Sequence, residues 1–172
     1  MNWGRGTRWV AVFLIIVSTL GCDQATKSIA RAGLGRGDST SVAGGLLEFT
    51  LAENPGAFLS LGALLPAPLR VSVFTIGTGI GLIVLLIYLV RSPRLTRLAL
   101  IGFALILGGG VGNLLDRLTR DGLVTDFMIL RIGPLHTGVF NVADMAVMAG
   151  VGVLLYYTFK PEPKGQAQKA NK

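Results

Sequence analysis

The sequence predicts an all-helical membrane protein with four transmembrane helices. Both termini are expected in the cytoplasm, and a small extracytoplasmic β-sheet is expected between the first two helices. Three observations carry this reading. The first is composition: 51% of the 172 residues are hydrophobic and 15% are charged, against about 25% charged in a soluble domain, and the mean hydropathy is +0.63. The second is a set of four apolar runs long enough, or nearly so, to cross a bilayer, which takes about 17–25 residues. The third is the placement of charge. Basic residues collect before the first run (Arg5, Arg8), between the second and third (Arg91, Arg94, Arg97) and after the fourth (Lys160, Lys164, Lys169, Lys172), whereas every acidic residue except Glu162 lies at or beyond the opposite ends. The positive-inside rule then sets the orientation.

The elements follow in order. The first helix is expected over about 9–31: the apolar run Trp9 to Cys22 reaches full length only by continuing through Asp23-Gln24-Ala25-Thr26-Lys27. Arg5, Arg8 and the stretch Thr19-Leu20-Gly21-Cys22 resemble a lipoprotein signal peptide. Thr19 stands where the usual leucine would be, however, and a charged helical turn follows Cys22 at once, so an uncleaved helix is the better reading. An extracytoplasmic segment spans about 32–68. Within it Leu46 to Ala52, bounded by Gly44-Gly45 and Asn54-Pro55-Gly56, reads as one or two short strands. The tip Ala57-Phe58-Leu59 and Leu61 could dip into the membrane interface, and the length, glycines and apolar tip of Gly33 to Pro68 suggest a movable cover. The remaining helices are expected over about 69–90, 98–115 and 139–159, with a second extracytoplasmic segment at about 116–138. Gly77 and Gly81, Gly108 and Gly112, and Ala146 and Gly150 are each four apart, a spacing that lets helices pack closely. Residues 1–160 are expected to form one integral membrane domain, followed by a polar cytoplasmic tail at 161–172.

Several function classes are disfavoured. The net charge of +7 is scattered over loops and a tail rather than gathered on one face, which argues against nucleic acid. Cys22 is the single cysteine and His136 the single histidine, so thiolate clusters and multi-histidine metal sites are excluded by count. No metal and no cofactor is expected. His136, with no serine or cysteine motif beside it, reads as a solvated loop residue.

The polar residues that remain are few and ordered. Asp126, in Val124-Thr125-Asp126-Phe127, and Asp144, in Phe140-Asn141-Val142-Ala143-Asp144, both fall at the outer membrane boundary. Ionisable residues there are expensive and usually functional. The connection between them contains Gly133 and Pro134, and if it folds back the two carboxylates can meet. A close pair cannot both ionise easily and titrates as a unit. The ionised member can then take a proton from water while the protonated one hydrogen-bonds a scissile carbonyl, which is peptide hydrolysis without a metal or a covalent intermediate. Asn113, Asp116 and Arg117 share one side of the third helix, and Asn113 is expected to point at one of the aspartates. Asn141 and Asp144 share a face of the fourth. Asp23 and Lys27, four apart, form either a surface ion pair or part of the site.

These motifs, in this order, resemble the bacterial lipoprotein signal peptidases, the signal peptidase II family: Asp23-Gln24-Ala25-Thr26-Lys27, Glu53-Asn54-Pro55-Gly56-Ala57, Gly112-Asn113-Leu114-Leu115-Asp116-Arg117, Val124-Thr125-Asp126-Phe127 and Phe140-Asn141-Val142-Ala143-Asp144. The resemblance implies a multi-pass aspartic peptidase of the bacterial inner membrane with its site at the outer face. Such an enzyme removes signal peptides from prolipoproteins by cutting just before a diacylglyceryl-modified cysteine. It implies Asp126 and Asp144 as the catalytic pair, with Asn54, Gly56, Asn113, Arg117, Asn141, Asp23 and Lys27 lining or supporting the site. The implied partners are the lipid-modified prolipoproteins, membrane lipids and inhibitory cyclic peptides of the globomycin type. One departure is visible: the family usually has Gly-Ala-Ala-aromatic after the asparagine, and here Phe58 follows Gly56-Ala57 directly. Two other readings compete. An ion or proton translocator would want its carboxylates nearer mid-membrane, and an assembly protein leaves the paired aspartates and asparagines unexplained.

Overall fold

The computed structural model describes residues 4–35, 37–56, 65–93 and 95–160. The tail at 161–172 and the apolar tip at 57–64, with the Ala57-Phe58 departure, lie outside the described residues. Four helices are long and apolar enough to cross a membrane: α1 (Arg5–Gly33), α2 (Ala67–Arg91), α3 (Arg97–Thr119) and α4 (Val142–Phe159). α3 runs a turn beyond the expected 98–115, because Asp116 and Arg117 find partners inside the protein and need no exit to water. α4 starts later than the expected 139, because Asn141 caps it.

α3 is the central helix, packed against α1, α2 and α4. Thr96 caps its start by accepting a hydrogen bond from the Ala99 amide (3.3 Å). Its glycines explain how closely the other helices approach. A Cβ on Gly102 would stand 2.8 Å from Leu154 Cγ, one on Gly108 2.8 Å from Thr19 Cβ, and one on Gly109 would collide with the Ala143 carbonyl. Gly77 and Gly81 differ from expectation: a Cβ on either meets nothing within 4 Å, so this pair packs against no other helix. Gly109→Ala is expected to push α4 off α3 at the level of the site and to destabilise by about 1–3 kcal/mol, the usual cost of overpacking. A lowered melting temperature in detergent checks this.

At the end of the bundle where α1 begins, Arg8 is buried and serves as a clamp. Its guanidinium donates to the carbonyls of Leu89 (3.0 Å), Ser92 (2.7 Å) and Pro93 (2.8 Å), which satisfies the unpaired carbonyls at the end of α2. Nearby, Val12, Leu89, Leu100, Ala104 and Leu107 form the main apolar core.

The sheet sits at the opposite end and is larger than the sequence suggested. β1 (Ser39–Val42) and β2 (Leu47–Asn54) come from the link between α1 and α2, as expected. The segment between α3 and α4 adds β3 (Val124–Ile132) and β4 (Leu135–His136). The four strands are antiparallel in the order β1-β2-β3-β4. The chain turns from α3 into β3 through Gly122 at φ +83°, whose amide bonds back to the Arg117 carbonyl (2.9 Å). The first half of β3 is buried on both faces. One face, carrying Phe127, packs on Ala30 of α1; the other, carrying Asp126, looks into a cavity.

Candidate functional site

The cavity, of about 450 Å³, lies between β3, the last turns of α3, the first turns of α4 and the end of β2. Asn54, Asn113, Arg117, Asp126 and Asp144 line its polar end, and Val139, Phe140, Met145 and Met148 its apolar wall. Met145 and Met148 are exposed on one face of α4, so the wall continues onto the apolar surface of the bundle.

Asp126 and Asp144 reach the cavity by different routes. Asp126 stands on β3, opposite Ala52 of β2, in a segment where the sequence suggested no strand. Asp144 occupies the first turn of α4. The connection does fold back: after the β3–β4 hairpin, Phe140 pairs with Met128, which delivers Asn141 beside Asp126.

Asn141 joins the two carboxylates. Its side-chain oxygen accepts from the Asp144 amide (2.9 Å), and Asp144 Oδ2 accepts from the Asn141 amide (3.1 Å), a complete capping box. Its Nδ2 donates to Asp126 Oδ1 (2.6 Å) and to Asn113 Oδ1 (3.1 Å). Asn54 Nδ2 donates to Asp126 Oδ2 (3.0 Å), while its own oxygen accepts from the Gly56 amide (2.9 Å). Asn113 Nδ2 donates to Asp144 Oδ1 (2.8 Å). Each oxygen of both carboxylates therefore accepts one hydrogen bond. Burial, and next the charge of Asp144, push the Asp126 carboxyl up to about 7, against the opposing hydrogen bonds from Asn54 and Asn141. Arg117 lines the cavity and holds the end of β2 through the Gly56 carbonyl (3.1 Å).

Behind the cavity lies an ion cluster. Asp23 and Lys27 are both fully buried, which rules out a surface pair. Lys27 Nζ has three acceptors: Asp23 Oδ2 (2.9 Å), Asp116 Oδ2 (3.1 Å) and Asn113 Oδ1 (2.9 Å). A lysine ammonium has three protons and only donates, so the Asn113 oxygen must face it and the Asn113 amide group must face Asp144. Asp23 Oδ1 holds the Ala143 amide at the start of α4 (2.9 Å), and Asp116 Oδ2 holds the Thr125 amide, next to Asp126 (3.0 Å). One cluster on α1 and α3 thus fixes the backbone beside both aspartates.

All nine sequence-selected residues are brought together here. Sequence reasoning missed Gln24, whose amide donates to Asp23, Asp116 and the Gly112 carbonyl. It also missed Thr125, fully buried, and the anchoring role of Asp116. The signal for Asp116 was its spacing from Asn113; Gln24 and Thr125 had none beyond adjacency to Asp23 and Asp126. His136 is exposed, as expected, but it lies in β4 and on the rim of the cavity.

Four membrane-length helices and a two-carboxylate cavity beside a small sheet define a multi-pass membrane protein with the equipment for acid–base chemistry. The chain belongs to the signal peptidase II family, which it matches over residues 15–160. It is 38% identical to a lipoprotein signal peptidase of Moorella thermoacetica, over 86% of this chain and 92% of that one. It is 36% identical to that of Aquifex aeolicus, over 95% of both. A relative from Leifsonia xyli is longer, the match spanning 62% of its length at 35% identity. A bacterial membrane enzyme solved by the in meso method at 1.9 Å superposes with a TM-score of 0.78 at 28% identity, over 92% of this chain and 96% of that one.

Proposed function

We propose that this chain is an intramembrane aspartic endopeptidase that removes signal peptides from diacylglyceryl-modified prolipoproteins, cutting just before the lipidated cysteine. Family membership supports the prolipoprotein substrate. The observation that carries the mechanism is a single cavity in which two carboxylates, Asp126 buried and Asp144 half-buried, share Asn141 as partner. Asp126, with its carboxyl near 7, holds the proton. Asp144, in the positive field at the start of α4, holds the negative charge and takes a proton from water. The resulting hydroxide attacks the carbonyl carbon while the Asp126 proton passes to the carbonyl oxygen. When the tetrahedral intermediate collapses, the C–N bond breaks and Asp144 returns its proton to the departing cysteine amine. Asp126 recovers its proton from the new carboxyl group.

The apolar wall of Val139, Phe140, Met145 and Met148 suits the lipid or apolar signal segment of such a substrate, and a globomycin-type cyclic peptide would compete there. The same reading places the chain in the bacterial cytoplasmic membrane, both termini inside and the sheet outside, with residues 1–160 as one catalytic unit. The test is cleavage of a diacylglyceryl-modified prolipoprotein by protein reconstituted in lipid, with products weighed by mass spectrometry. Release of the intact signal peptide, with the modified cysteine as the new N-terminus, supports the reading; equal cleavage of the unmodified precursor, or none, overturns it.

Activity is expected to fall as pH rises through about 7, as Asp126 loses its proton. Asn54→Ala removes a donor that favours the ionised form, so the proton is kept to higher pH. The descending limb should then move up by roughly one unit, the equivalent of one hydrogen bond to a charged group. A pH profile of kcat/KM for the two proteins checks the direction.

A further inference from the structure

On the face of β3 opposite the carboxylates lies a second cavity, of about 370 Å³. Strand alternation places it there: Asp126 looks into the first cavity, and its neighbour Phe127 lines the second. Thr26, Ala30 and Leu34 form its wall on the α1 side, Thr40 and Phe49 its wall on β1 and β2. The lining is almost wholly apolar, and Thr26 commits its hydroxyl to the Cys22 carbonyl (2.7 Å).

Two further observations say what fits. Ile29, which lines the cavity, is 70% exposed, on a helix long and apolar enough to cross a membrane that also exposes Val10, Phe13, Leu14 and Val17. The cavity therefore opens at an exposed apolar edge of α1. Beside the lining residue Ala30, Arg31 donates to Thr125 Oγ1 (3.0 Å), two residues before Phe127 and on the same face of β3. No carboxylate among the described residues pairs with Arg31. An apolar slot with an exposed edge, neighbouring a guanidinium that has no carboxylate partner among the described residues, has the two parts that recognise an acyl chain and a phosphate.

We propose that this cavity holds one acyl chain of a phospholipid of the leaflet facing the sheet, with the lipid phosphate against Arg31. The inference rests on the four helices crossing a bilayer and is independent of the peptidase mechanism. The lipid packs against Phe127 and so supports the strand that carries Asp126.

Gly33 provides the test. It lines the cavity, and a Cβ there meets nothing within 4 Å, so the side chain of Gly33→Leu starts in open space beside the cavity. Thr40→Phe does the same from the exposed strand β1. The protein is reconstituted with phosphatidylglycerol, released into mild detergent and weighed intact by native mass spectrometry. The parent is expected to retain one phosphatidylglycerol per chain. Both filling variants should lose it several-fold at unchanged melting temperature, and Arg31→Gln should weaken retention of phosphatidylglycerol but not of diacylglycerol. Absence of retained lipid on the parent, or equal retention by both filling variants, overturns the proposal. So does a raised KM for the lipidated precursor with phospholipid retention unchanged, which assigns the cavity to the substrate's own lipid.

Discussion

Asp126→Asn and Asp144→Asn are each expected to cut signal-peptide cleavage by roughly 10²–10⁴-fold, the range lost with a positioned general acid or base. The protein should stay folded and in the membrane. In either variant one carboxylate oxygen becomes an amide that faces a donor, Asn54 or Asn141 at position 126 and Asn113 or the Asn141 amide at position 144. That mismatch costs about 1–3 kcal/mol; at position 144 the loss of a partly buried charge works in the opposite direction. Turnover measured beside a thermal melt separates the outcomes: a dead enzyme melting near the parent supports the pair as catalytic, and a variant that still cleaves removes that aspartate from the chemistry. The double variant is expected to be no worse than either single one, since the two act as a unit.

Lys27→Met should produce the largest loss of stability. It leaves Asp23 and Asp116 buried without their cation, and breaking a buried pair in this way costs about 3–5 kcal/mol. It also frees the Asn113 amide to rotate away from Asp144, so the protein that does fold should have lowered kcat. Adding Asp116→Asn to Lys27→Met removes one of the two stranded charges and is expected to restore part of the melting temperature without restoring kcat. If Lys27→Met melts with the parent, the ion cluster is not what holds α1, α3 and α4 together.

The helices were legible because a membrane span writes itself as an uninterrupted apolar run, and basic residues mark one set of ends. The two aspartates were legible for a related reason: a carboxylate next to such a run stands out against its surroundings. β3 was not. Its first five residues are buried on both faces, so the alternation that reveals a half-buried strand is missing, and the segment carrying Asp126 read as a plain connection. The i, i+4 spacing of Asp23 and Lys27 showed that they could meet but not that they are enclosed, because burial comes from Asp116 and Asn113 on a helix 86 or more positions away along the chain. The small-residue spacing on α3 described real contacts, whereas the same spacing in Gly77 and Gly81 did not. Spacing alone does not tell a face turned to a neighbour from one turned outward.

Asn141 is at once the cap of α4 and the partner of both carboxylates. An inhibitor seated on the aspartates therefore touches a residue that the population of cells under drug selection has little freedom to change. A substitution there would remove the cap of a membrane-length helix and, on the proposed mechanism, disarm the enzyme in the same step. Escape must come instead from Met145, Met148 or Val139, whose side chains shape the apolar wall and carry no hydrogen bond of the site. A ligand that draws its affinity from the polar end should consequently select resistance more slowly than one that relies on the wall.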